Sequence, residues 1–137
     1  MKKLLTGLFM LLCFLNSYGQ DLQKIDSLKR LLNKSKEDTS KVKLLFALTL
    51  EYEDHDMKKA MTYAKEGGRL SNKLNYTAGK LKYNKRMMYL FATLTQHDSA
   101  IVYGKQIPQN CYRDEGYFKH GYCIHYFGGT LQFQIGL

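Results

Sequence analysis

The sequence predicts an all-α protein, an α-solenoid built from helix–turn–helix pairs. Three observations carry that expectation. Apolar residues recur at helical spacing in successive segments that short polar turns separate. Ala60, Tyr63 and Lys65 return forty residues later as Ala100, Tyr103 and Lys105. One proline and no tryptophan in 137 residues favour helices over a turn-rich β sandwich.

The chain opens with a secretion signal. Lys2 and Lys3 precede an apolar run from Leu4 to Leu15, and Ser17-Tyr18-Gly19 places small residues at −3 and −1 of a cut before Gln20. The run is shorter than the ~20 residues that span a bilayer, so it is read as a leader and not as an anchor. Leu12 before Cys13 does not suit lipidation. No second long apolar run follows, so no stable membrane span is expected after cleavage at residue 19. The product is expected outside the cytoplasm, periplasmic or secreted.

The first helix runs from Asp21 to about Lys34, with Leu22, Ile25, Leu28, Leu31 and Leu32 as its stripe. Asp38 is placed to cap a second helix carrying Val42, Leu45, Phe46, Leu48, Thr49 and Tyr52. The acidic turn Glu53-Asp54-His55-Asp56 ends it, and Asp56 caps a third helix with Ala60, Tyr63, Ala64, Gly67, Leu70 and Leu74. A fourth covers about Thr77 to Thr95, with Leu81, Met87, Met88, Phe91 and Leu94 on one side. Asp98 is placed to cap a fifth, which Pro108 stops near Ile107. Helix pairs at a fixed period of this size are the mark of an α-solenoid.

The spacing of small and aromatic residues resembles the tetratricopeptide repeat (TPR) family. That family places a small residue on helix A, an aromatic three later, and then an alanine on the core face of helix B. Thr49, Tyr52 and Ala60 fit, followed by Met88, Phe91 and Ala100. The tract Ile25 to Leu32, with Asp38-Thr39-Ser40-Lys41-Val42, is similar to the exported repeat region of bacterial sensor histidine kinases and transcriptional regulators. Met88 stands where a small residue is usual, and Asn84 and Lys85 are polar where the first repeat has Leu44 and Leu45. The second repeat is therefore expected to pack more loosely.

The resulting organisation is a signal peptide over 1–19, TPR-like repeats over 20–107, and an incomplete third repeat or poorly ordered tail over 108–137. Gly121, Thr130 and Phe133 fit the third helix A. The competing reading is a strand, because Leu131, Phe133, Ile135 and Leu137 alternate with polar or small residues and Gly128-Gly129 disfavours a helix. Helix is the expectation. With Phe127, Leu131, Phe133, Ile135 and Leu137 uncapped, this end is expected to self-associate.

The formal net charge is +9, and much of it is local. Residues 57–86 carry nine cations, Lys58, Lys59, Lys65, Arg69, Lys73, Lys80, Lys82, Lys85 and Arg86, against Glu66 alone. Lys82, Lys85, Arg86 and Tyr89 fall at i, i+3, i+4 and i+7 of the fourth helix, and Lys43 is the counterpart of Lys82 one repeat earlier. Helix A lines the peptide groove in the resembled family, so this basic face implies a protein or peptide partner and suits an acidic one. The asparagines with which some family members grip acidic peptide ends are absent. Export argues against nucleic acid, and the eleven tyrosines are read as packing residues.

Cys111 and Cys123 could form a disulfide after export or remain as buried thiols. His120 and Cys123 could share a helix face, but His125 falls elsewhere, and no C-x-x-C or H-E-x-x-H occurs, so no metal site is assigned. There is no G-x-S-x-G, no phosphate-cradling G-x-x-x-x-G-K-[ST] and no carboxylate pair with a pocket. The expected function is non-enzymatic and cofactor-free protein interaction. The runner-up is the truncated sensory region of a two-component sensor or regulator, and a small exported metal binder or hydrolase comes third.

Overall fold

The computed structural model describes residues 22–108, 122–127 and 130–135. Helix α1 covers residues 22–34. It is followed by α2 (Thr39–Tyr52), α3 (Met57–Lys73), α4 (Thr77–Thr93) and α5 (His97–Gly104). Two strands close the order, β1 (Tyr122–Phe127) and β2 (Thr130–Ile135). The helical expectation therefore holds over α1 to α5. The expected leader at 1–19 and Cys111 lie outside the described residues.

The chain divides into two compact units between Gly67 and Gly68, inside α3. In the first, Ile25 of α1, Val42, Leu45, Phe46, Leu48 and Tyr52 of α2, and Ala60 and Ala64 of α3 form the buried set. Thr49 is fully buried, and its hydroxyl donates to the Leu45 carbonyl at 3.0 Å, so the burial leaves no orphaned donor. In the second, Met88, Ala92, Ala100 and Ile107 make a core with Leu81, Phe91 and Tyr103 against it. Met88 is only 1% exposed.

The helix starts follow two rules. Asp38 caps α2 by accepting from the Ser40 and Lys41 amides at 2.8 and 3.0 Å, and Asp56 accepts from the Lys59 amide at 3.0 Å. Asp98 does not cap α5, as the sequence suggested. Gln96 holds that position without a side-chain bond, and Asp98 lies in the first turn.

The turns before α4 and α5 are instead shaped by the preceding helix end. Asn75 and Thr95 have φ of 49° and 57°. The Tyr76 and Gln96 amides donate to the Ser71 and Phe91 carbonyls at 2.8 and 2.9 Å, and the Asn75 and Thr95 amides donate to the Asn72 and Ala92 carbonyls at 3.1 and 3.0 Å. These are two Schellman closures, twenty residues apart, and each turns the chain without an acidic cap. Helices α3, α4 and α5 accordingly begin at Met57, Thr77 and His97.

Close approach within each unit is secured by an adjacent pair of glycines. A Cβ on Gly67 would lie 3.0 Å from Cζ of Phe46, and one on Gly68 would lie 2.5 Å from Cδ2 of Tyr83. Gly67 therefore admits the α2 ring in the first unit, and Gly68 admits the α4 ring in the second.

The C-terminal segment corrects the expectation of a third helix A. Residues 122–127 and 130–135 pair as an antiparallel hairpin, with Tyr122 opposite Ile135, Ile124 opposite Phe133 and Tyr126 opposite Leu131. The period-2 alternation wins over helical spacing here, and Gly128-Gly129 falls between the strands. The remaining pairs are Cys123 with Gln134, His125 with Gln132 and Phe127 with Thr130.

Candidate functional site

Helix α4 is covered around most of its circumference, with Gly79, Lys85, Met87, Met88, Leu90 and Ala92 buried. What stays open is an arc of about 60° at 3.6 residues per turn. It holds exposed Lys82 and half-buried Arg86, Tyr89 and Thr93. The Thr93 hydroxyl donates to the Tyr89 carbonyl at 3.1 Å, so it is turned into the helix and not outward.

Lys85 does not belong to this face. It is only 7% exposed, which corrects the expected basic set. Three residues rotate a helix by about 300°, so the step from Lys82 to Lys85 falls back toward the Met88 and Ala92 side. By the offset that matches Lys82 with Lys43, the position on α2 that corresponds to Lys85 is Phe46, which is 1% exposed. Lys43 is exposed on α2, in the first compact unit, on an arc that also holds Ala47, Leu50 and Glu51. Glu51 pairs with Lys24 of α1 at 2.6 Å.

Two aromatic stacks each join one helix to the next, α2 to α3 and α4 to α5. Tyr52 of α2 stacks on Tyr63 of α3 with centroids 5.6 Å apart and planes 16° from parallel. Phe91 of α4 stacks on Tyr103 of α5 at 5.5 Å and 17°. Tyr83 meets Tyr103 edge-on at 5.7 Å, and the two hydroxyls lie 3.4 Å apart. Burial first, and then that hydroxyl contact, holds the Tyr83 phenol well above its ordinary pKa.

Around Tyr52 two cations converge. Lys29 of α1 and Lys59 of α3 lie 5.6 and 5.4 Å from its ring centroid. A hydrogen bond to the Tyr52 hydroxyl is the main reason the Lys29 ammonium is held above its usual pKa. Lys59 is raised chiefly by its bond to Asp56, at 2.9 Å, and Asp56 is lowered by the same contact. This cluster ties α1, α2 and α3 together in the first unit.

A second cationic face lies on the outer side of α3. Lys58, Lys65, Arg69 and Lys73 are all exposed and share an arc of about 80° on that one helix. Their separations of seven, four and four residues are the signal of that face in the sequence.

Among the described residues no three His, Cys, Asp or Glu come together in a geometry that could hold a metal ion. With residues 122–127 in a strand, Cys123 and His125 are alternate residues of β1, paired with Gln134 and Gln132. Cys111 and His120, their candidate companions, lie outside the described residues. No described helix is long and apolar enough to cross a membrane. The arrangement offers exposed cations beside tyrosine rings, which suits the attraction of anionic groups.

The chain matches no protein-family model, no curated protein and no solved structure.

Proposed function

We propose that this chain is an exported TPR-like interaction module, without catalysis or cofactor, that binds a protein or peptide segment. The observation that carries this reading is the recurrence of one packing unit. An aromatic on helix A stacks on a tyrosine three residues beyond a buried alanine of helix B, as Tyr52, Ala60 and Tyr63 and then as Phe91, Ala100 and Tyr103. Such units stack to leave helix-A faces open for a ligand. The leader-like start and the similarity to exported sensor regions support placement outside the cytoplasm.

The binding face in this reading is the open arc of α4, with Lys82, Arg86 and Tyr89. Lys85 is left out because it is buried. An acidic peptide suits these cations.

The test is fluorescence anisotropy with short acidic, neutral and basic peptides on the full chain. Acidic peptides should bind, with affinity falling as salt screens exposed charges over about 8–10 Å. Lys82→Glu should remove that binding while leaving the helical circular dichroism signal unchanged. Equal affinity for all three peptide classes, insensitive to salt, would overturn the acidic-peptide reading.

A further inference from the structure

The outer face of α3 carries a line of positive charge that the peptide-binding face does not use. Lys58, Lys65, Arg69 and Lys73 are exposed on one side of a single helix, over about 22 Å at 1.5 Å per residue. Exposed Thr62 and Asn72 lie among them, and half-buried Glu66 sits at the border. Among the described residues Lys58, Lys65 and Arg69 make no ion pair, so their charge is not cancelled locally. None of the exposed large apolar residues, Leu22, Leu31, Leu94 and Val102, belongs to α3. The apolar side of this helix is already occupied, by Ala60, Ala64 and Gly67 in the first unit and by Gly68 and Leu70 in the second. The strip can therefore adsorb to a charged surface, but it has nothing to insert.

We propose that the strip of Lys58, Lys65 and Arg69 on α3 docks electrostatically onto an anionic lipid surface. These three fall within about 40° of one another around the helix, so they can meet a planar layer of headgroups together. Each cation held near such a surface contributes to attraction that falls off within a Debye length. The choice of lipid over nucleic acid rests on the export reading above, since an exported chain faces membranes and is separated from nucleic acid.

The experiment is co-sedimentation of the full chain with phosphatidylcholine vesicles, with and without about 30 mol % phosphatidylglycerol. Binding should require the anionic lipid and weaken with salt. Lys65→Gln/Arg69→Gln should reduce it about 30-fold, the factor for losing about 1 kcal/mol at each of two charges. These side chains are exposed and make no ion pair among the described residues, so circular dichroism should be unchanged. Lys58→Gln/Lys65→Gln provides a second variant should the first fail to fold. Lys82→Glu should leave vesicle binding near the parent value, which separates this strip from the peptide face on α4. Indifference to phosphatidylglycerol, or unchanged binding in the α3 variants, would overturn the proposal. Absence of vesicle binding alongside tight duplex DNA binding that the same variants weaken would assign the strip to nucleic acid.

Discussion

Phe91 and Tyr103 stack across the α4–α5 pair with ring centroids 5.5 Å apart and planes 17° from parallel. Tyr103 also meets Tyr83 edge-on, so one side chain joins two rings of α4 to α5. Tyr103→Ala should cost about 3 kcal/mol, as for other large aromatic truncations in a core. Tyr103→Phe keeps the stack and loses only the hydroxyl contact with Tyr83, so it should cost under about 1 kcal/mol. Urea unfolding of both variants measures the difference. Equal losses would place the stabilisation in the hydroxyl pair and not in the stack.

The two adjacent glycines should respond differently to the same change. Alanine favours helix over glycine by about 1 kcal/mol. At Gly68 the added methyl would stand 2.5 Å from the Tyr83 ring, so Gly68→Ala should be net destabilising, by about 1–3 kcal/mol. At Gly67 the nearest ring atom is 3.0 Å away, and a shift of a few tenths of an ångström by Phe46 would relieve it. Gly67→Ala should therefore lie within about 1 kcal/mol of the parent. Thermal melts of the two variants give the comparison directly.

Thr95 holds a left-handed conformation, with φ of 57°, that a β-branched side chain disfavours. Thr95→Gly should stabilise the chain by about 1 kcal/mol. Asn75→Gly should gain less, because asparagine tolerates this region. A lower Tm for Thr95→Gly would mean that the Thr95 hydroxyl bond to the Leu94 carbonyl, at 2.7 Å, outweighs the backbone strain.

Asp56 sets an acid limit on the first unit. Its bond to Lys59 is the largest cause of a pKa below the ordinary carboxylate value. A carboxylate that is more acidic when folded stabilises the fold above its unfolded pKa, and that contribution fades as pH falls through the folded value. Stability should therefore be flat near neutrality and decline below about pH 4. Asp56→Asn keeps an acceptor for the Lys59 amide but removes the charge, and should flatten that part of the decline. An unchanged acid profile in Asp56→Asn would assign the decline to other carboxylates.

Lys82 and Lys85 share a helix but should not share a phenotype. Lys82 is exposed, so Lys82→Glu should alter stability by no more than about 0.5 kcal/mol. Lys85 is buried, and reversing its charge should cost about 3 kcal/mol. Chemical denaturation distinguishes them, and near-parent stability in Lys85→Glu would place its ammonium in solvent.

What could be read from the sequence follows from how local each signal is. The stripe of Val42, Leu45, Phe46 and Thr49 and the caps at Asp38 and Asp56 are short-range patterns, and they set α2 and the start of α3 correctly. The forty-residue return of Ala60 and Tyr63 as Ala100 and Tyr103 foretold two equivalent stacks. The Schellman turn at Thr95 was hidden, because threonine is a poor marker for a left-handed residue. Asp98 looked like a cap for the same reason that Asp56 is one, but the preceding helix end had already shaped that turn. Lys85 was misplaced by treating i+3 as the same face, although it lies about 60° short of a full turn. At 122–135 both periods were visible, and the Gly128-Gly129 pair was the stronger clue.

The hairpin register has a parity. Tyr122, Ile124 and Tyr126 pair with Ile135, Phe133 and Leu131 because paired positions sum to an odd number, 122 with 135 and 127 with 130. A single residue inserted within β1 would change that sum for every pair beyond it and set Cys123 or His125 opposite an apolar partner. Insertion of two residues would restore odd sums. Changes of length in this segment should therefore be tolerated in even steps and penalised in odd ones, a frame written in strand pairing and not in codons.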